Sequence, residues 1–145
     1  MKSLLLTFMF SLLTNAQEIM VTKTGSVGEK STFQLEFKPG KAKIVAMEWN
    51  FVSGDVRSVA IGPVAMGANK QVVFDPANPV KCFLFGLNSV VIGEGVVAFV
   101  TVAGAILKIG DMVGVTVDGD EAYIQVTNSP EPEPPPPADP PPPEQ

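Results

Sequence analysis

Histidine is absent from this chain, and cysteine occurs once, as Cys82. Ser-His-Asp and Cys-His catalysis both need an imidazole, and Cys-His metal sites need several such ligands, so this inventory excludes all three. A single cysteine also forms no intrachain disulfide. Its place in the apolar run KCFLF marks a buried, inert thiol, because a reactive one needs exposure and a cationic neighbour. Polar rings are scarce as well, with one tryptophan and one tyrosine. The ten basic residues are scattered, and their one cluster, Lys38, Lys41 and Lys43, has no aromatic side chain interleaved with it. Nucleic acid calls for a concentrated basic patch, so it is not an expected partner. Helical signals are missing too: no capped run of about twelve residues carries a helical period.

What the chain has in quantity is apolar residues, 46% of 145, which is enough for one sizeable core and one domain. Residues 1–16, MKSLLLTFMFSLLTNA, combine a lysine, an apolar run and small residues at the two positions a signal peptidase inspects. They read as a secretory signal peptide, and the run is well short of the ~20 residues that cross a bilayer. No membrane span is expected. The mature protein then begins near Gln17 and works outside the cytoplasm. At the other end, residues 129–145 hold ten of the fourteen prolines together with Glu131, Glu133, Asp139 and Glu144. Such a segment has no core to form and reads as a disordered, acidic, proline-rich stalk. It carries most of the net charge of -5, leaving the body, residues 17–128, close to neutral.

Within the body, short alternating runs are broken by turn residues. Residues 19–22 form the first expected strand, and Phe33, Leu35 and Phe37 alternate with Thr32, Gln34 and Glu36 in the second. In residues 44–52, IVAMEWNFV, the alternation points Met47, Trp49 and Phe51 at the core and Glu48 and Asn50 outward. Ser53-Gly54-Asp55 reads as a turn, followed by strands at 56–61 and 71–74 with a small, irregular stretch between them. The prolines of Asp75-Pro76-Ala77-Asn78-Pro79 make the next loop rigid. Later, Val113, Val115 and Val117 alternate with Gly114 and Thr116, Asp118-Gly119-Asp120 makes an Asp-Gly hairpin turn, and Ala122, Ile124 and Val126 share a face opposite Tyr123.

The stretch around which the rest is arranged is residues 80–102, VKCFLFGLNSVVIGEGVVAFVTV. It reads as two strands, 80–87 and 95–103, joined as a hairpin-like pair through Asn88, Ser89, Gly93 and Gly95. Both strands are apolar on both alternating sets, so the outer set needs a cover, either a loop or a partner. About nine short strands with regular turns predict an all-β, antiparallel, nine-stranded β-sandwich of jelly-roll or immunoglobulin-like topology.

These residues also resemble a family. Gly25-Ser26-Val27-Gly28-Glu29 before the first core strand, MEWNF followed by a turn and VRSVAIG, and CFLFGLNSVVIGEGVVAFVTV are similar to the cohesin and cohesin-like modules of bacterial extracellular, cellulosome-type proteins. The last piece resembles the family's FLF-type strand, its polar loop and its xDGVxAxxxxxV strand, with Glu94-Gly95-Val96 in place of Asp-Gly-Val. The resemblance implies a secreted, non-catalytic module that holds a dockerin-like protein or a polysaccharide at a cell surface or in a polysaccharide-degrading scaffold. Carried over by position, the partner-binding residues are Glu48, Asn50, Leu87, Asn88 and Ser89. At Leu87 the sequence departs from the acidic residue usual in cellulosomal members, which leaves a more apolar patch.

The alternatives are a carbohydrate-binding module, which would stack sugars on exposed rings, and a structural or adhesion domain, including virion decoration. No cofactor is expected. Asp118, Asp120 and Glu121 offer oxygen ligands of the kind calcium takes, but the hairpin turn accounts for the same residues and no metal is assigned. Nor is an enzyme expected: a glycosidase needs two carboxylates facing one cleft, and Glu36, Glu48 and Glu94 fall on different strands or loops.

Overall fold

The computed structural model describes residues 16–130 and residue 143. The expected signal peptide and proline-rich stalk lie almost wholly outside the described residues. Between them run seven strands, β1 (Glu18–Val27), β2 (Lys30–Lys38), β3 (Ile44–Ile61), β4 (Gln71–Phe74), β5 (Lys81–Phe85), β6 (Gly95–Thr116) and β7 (Glu121–Thr127), with one short helix, α1 (Pro63–Gly67), between β3 and β4. All nine expected segments are extended, but they make seven strands. The 18-residue β3 and the 22-residue β6 each absorb two of them.

The expected turn at Ser53-Gly54-Asp55 is therefore a bend within β3. Successive register shifts between Trp49 and Ser58 curl the strand, and Gly54 adopts φ 114° where the chain presses on β6. A Cβ at Gly54 would lie 2.6 Å from the Ile106 carbonyl oxygen, so only glycine fits the bend. Because β3 and β6 bend together, each serves in two layers. One layer has the order β4-β5-β3-β6-β7, using the first half of β3 and the second half of β6. The other joins β1, β2, the first half of β6 and the second half of β3. The two layers pack as a sandwich whose core contains Phe33, Leu35, Phe37, Ile44, Met47, Trp49, Leu84, Val100, Met112 and Ile124. Burying side chains of this size contributes roughly 1.5–3 kcal/mol each, which makes the layered core the main support of the fold.

Two expectations are corrected. First, the sandwich is not wholly antiparallel: β1 and β7 run parallel, with Glu18, Ile19 and Met20 beside Gln125, Val126 and Thr127. Second, the two strands of the central stretch do not pair with each other. β5 lies between β3 and β4, whereas β6 pairs with β2, β3 and β7. Residues 86–94 carry the chain from one layer to the other, anchored by the fully buried Ile92, whose amide donates to the Ile44 carbonyl at 2.8 Å.

The double apolar character that called for a cover has a different cause in each strand. In β6 the register slips opposite Leu35 and Glu36, so the consecutive residues Val97 and Ala98 are both buried, as a β-bulge allows. Helix α1, opened by Pro63 in its first turn, supplies a cover at the start of the same strand. The Gly62 amide bonds the Val97 carbonyl at 2.8 Å, and Val64 fills the space that a side chain at Gly95 would take. In β5 no helix covers the outer set: Phe83 remains exposed and Phe85 is half-buried.

Candidate functional site

The outer surface of the β4-β5-β3-β6-β7 layer is built by plain strand alternation. Cys82 and Leu84 of β5, Met47 and Trp49 of β3, Met112 and Gly114 of β6 and Ile124 of β7 point inward. Their neighbours are thereby turned out. The registers then place Val73, Phe83, Glu48, Val113 and Tyr123 side by side in one row across all five strands. With strands about 4.8 Å apart, the row spans roughly 19 Å. Val73 is 46% exposed, Phe83 39% and Tyr123 65%. Val115 and Val80 extend the apolar surface, and Gln71, Asp111 and Glu121 stand exposed around it. Beside the row, Val73, Asp75, Asn78, Val80, Lys81 and Phe83 line a shallow hollow.

At the middle of the row the charge is neutralised. Lys81 Nζ lies 2.8 Å from Glu48 Oε1 and 5.9 Å from the centre of the Phe83 ring. Both partners are nearly half exposed, so the pair contributes only about 0–1 kcal/mol. Asn50 sits in register with Lys81, one row further along.

The sequence-predicted residues thus fall in two places. Glu48 and Asn50 lie on this outer surface, as alternation predicted, and Leu87, Asn88 and Ser89 follow β5 in the crossing segment. Leu87 is fully exposed and Ser89 is exposed, whereas Asn88 is half buried and occupied. Its Oδ1 accepts from Lys70 Nζ at 2.7 Å and from the Val90 amide at 3.1 Å, and its Nδ2 donates to the carbonyls of Ala68 and Asn69 at 3.3 and 3.4 Å. Val73, Phe83 and Val113 escaped assignment to the site. For Phe83 the signal was present, because alternation set it opposite Cys82 and Leu84. For Val113 and Val115 the inward neighbour is Gly114, whose place in the core is taken by Ile44 and Ile124. A Cβ at Gly114 would lie 2.8 and 3.1 Å from their Cδ1 atoms, so a residue without a side chain concealed an inward position.

Burial pushes the Cys82 thiol up to about 12, out of nucleophilic range. Glu36 faces outward from β2 and Glu48 from β3 in the other layer, so these two carboxylates stand on opposite sides of the sandwich. At the β6–β7 turn, Gly119 takes φ 88° and the Thr116 amide bonds the Asp120 carbonyl at 2.8 Å, as a hairpin requires. Among the described residues no three metal-ligating side chains come together.

No family model matches the chain, and no curated protein does. Solved structures do. The chain is similar to a non-cellulosomal cohesin from the hyperthermophilic archaeon Archaeoglobus fulgidus, with a TM-score of 0.57 and 11% identity over 77% of this chain and 86% of that one. It is also similar to a cohesin module from a Clostridium perfringens family 33 glycoside hydrolase, with a TM-score of 0.55 and 12% identity over 79% of this chain and 97% of that one. The bent two-layer arrangement of β3 and β6 is thus a cohesin-like β-sandwich.

Proposed function

We propose that this chain is a secreted, non-catalytic binding module that grips a protein partner on the outer surface of the β4-β5-β3-β6-β7 layer. The observation that carries the reading is the outward row of exposed Val73, Phe83 and Tyr123 with half-buried Val113, the Glu48–Lys81 pair neutralised at its centre. Apolar side chains on either side of a neutralised ion pair, on a polar-rimmed sheet, are costly to leave in water and suit a partner that covers them. The cohesin-like fold supports a dockerin-type partner in attachment or scaffolding. Leu87 extends this apolar surface at the end of β5.

The reading is tested by immobilising the full chain and exposing it to proteins of the source organism. A retained protein is expected to be lost with Phe83→Lys and with Tyr123→Lys, and kept with Thr101→Lys on the opposite layer. Retention by all three variants, or by none of the four proteins, overturns the reading. A second reading, carbohydrate binding, is favoured by one observation: Phe83 and Tyr123 put two exposed rings in the same row. Glycan binding that disappears with Tyr123→Ala would select it.

A further inference from the structure

Lys70 is buried, 6% exposed, and among the described residues no carboxylate lies within ion-pair distance of it. A desolvated ammonium without a counterion is costly unless its protons are accepted. Its acceptors come from a single residue eighteen positions later: Asn88 Oδ1 at 2.7 Å and the Asn88 carbonyl at 3.4 Å. The surrounding backbone is shaped for this contact. Asn69 adopts a left-handed φ of 58°, a conformation that asparagine tolerates better than most residues, and the Lys70 amide turns back to the Ala65 carbonyl at 3.0 Å. On the other strand of the contact, a Cβ at Gly86 would lie 2.6 Å from the Asn69 carbonyl oxygen and 3.1 Å from Lys70 Cδ. Glycine is needed there for the two segments to meet. Asn88, in turn, reaches back to the Ala68 and Asn69 carbonyls and forward to the Val90 amide, so every polar atom of its side chain is engaged. On either side of Asn88 stand the exposed apolar residues Leu87, Val90 and Val91, of which Leu87 is fully exposed.

We infer that Lys70 is a positioning residue: through Asn88 it latches the crossing segment 86–94 and fixes how Leu87, Ser89 and Val90 are presented beside the binding surface. The consequence for partner capture rests on the binding reading above. The latch itself does not, because loop order is measurable on the free chain.

The test is a nitroxide attached at Ser89→Cys in the full chain. Labelling is selective, since the one native thiol, Cys82, is fully buried and held in its neutral form. The parent spectrum should show an immobilised component. Lys70→Met and Asn88→Ala are each expected to lose it, and the double variant should lose no more than either alone, as two ends of one contact behave. A spectrum that keeps the parent's shape in Asn88→Ala, or two effects that simply add, overturns the proposal. Should Lys70→Met fail to fold, Lys70→Gln decides, since it removes the ammonium while leaving the Asn88 bonds to Ala68, Asn69 and Val90 available. Capture is read separately. Weaker capture by Lys70→Met, whose buried side chain meets no partner, with its melting temperature held, links the latch to binding. A mobilised loop with undiminished capture overturns that link, and no capture by the parent overturns the binding reading while the spectra still judge the latch.

Discussion

The two outer surfaces of the sandwich are made by the same pair of long strands, and they differ in composition. Across the β1-β2-β6-β3 layer a row runs Thr22, Gln34, Phe99, Ala60, and beside it Thr32, Thr101 and Ser58 follow one another. Across the other layer the corresponding row is Val73, Phe83, Glu48, Val113, Tyr123. The first is an ordinary solvated sheet with a single ring. Since one layer of this fold manages with a polar exterior, the architecture does not oblige the other to be apolar. The excess on the second surface is the feature on which the proposed binding role rests.

Substitutions on adjacent positions of β5 break the comparison most sharply. Leu84→Ala empties a fully buried site and should cost about 2–5 kcal/mol in urea unfolding, whereas Phe83→Ala, one residue away on the outer side, should cost about 1 kcal/mol or less. Next in size is the effect on capture. Tyr123→Ala is expected to weaken a retained partner by about 2 kcal/mol, roughly thirtyfold, in a titration where Thr101→Ala leaves affinity unchanged. Leu87→Asp should lower capture by about tenfold with the melting temperature within a degree or two, because the fully exposed side chain has no packing to lose; a large fall in melting temperature would contradict its place on the surface. The smallest effect is at the centre of the row. Glu48→Gln removes a half-exposed pair with Lys81 and should change stability by about 0–1 kcal/mol, measured at low and at high salt.

Much of the architecture was legible in local alternation. Phe33, Leu35 and Phe37 face inward, Trp49 is buried, and Glu48, Asn50 and Tyr123 face outward because period two admits no other arrangement once one set is apolar. Strand order was not legible. Neighbours in sequence suggested that β5 and β6 would pair, but β5 is held by β3, more than thirty residues earlier, and no local pattern encodes that choice. Gly54 looked like a chain reversal. It is a sharp bend, with φ of 114°, inside a strand that continues on both sides. At the candidate site, turn chemistry identified Asn88 correctly as a loop residue, while its tie to Lys70 depends on a contact that folding alone creates.

The parallel contact between β1 and β7 has a mechanical consequence. Because the two strands point the same way, the chain enters at one end of this contact and leaves at the other, with Gln17 bonded to Tyr123 and Gln125 before it and Asn128 tied to Ile109 after it. Tension applied through the two flanking segments drags the strands lengthwise past each other. The bonds of the contact are then strained together, instead of opening singly like a zip.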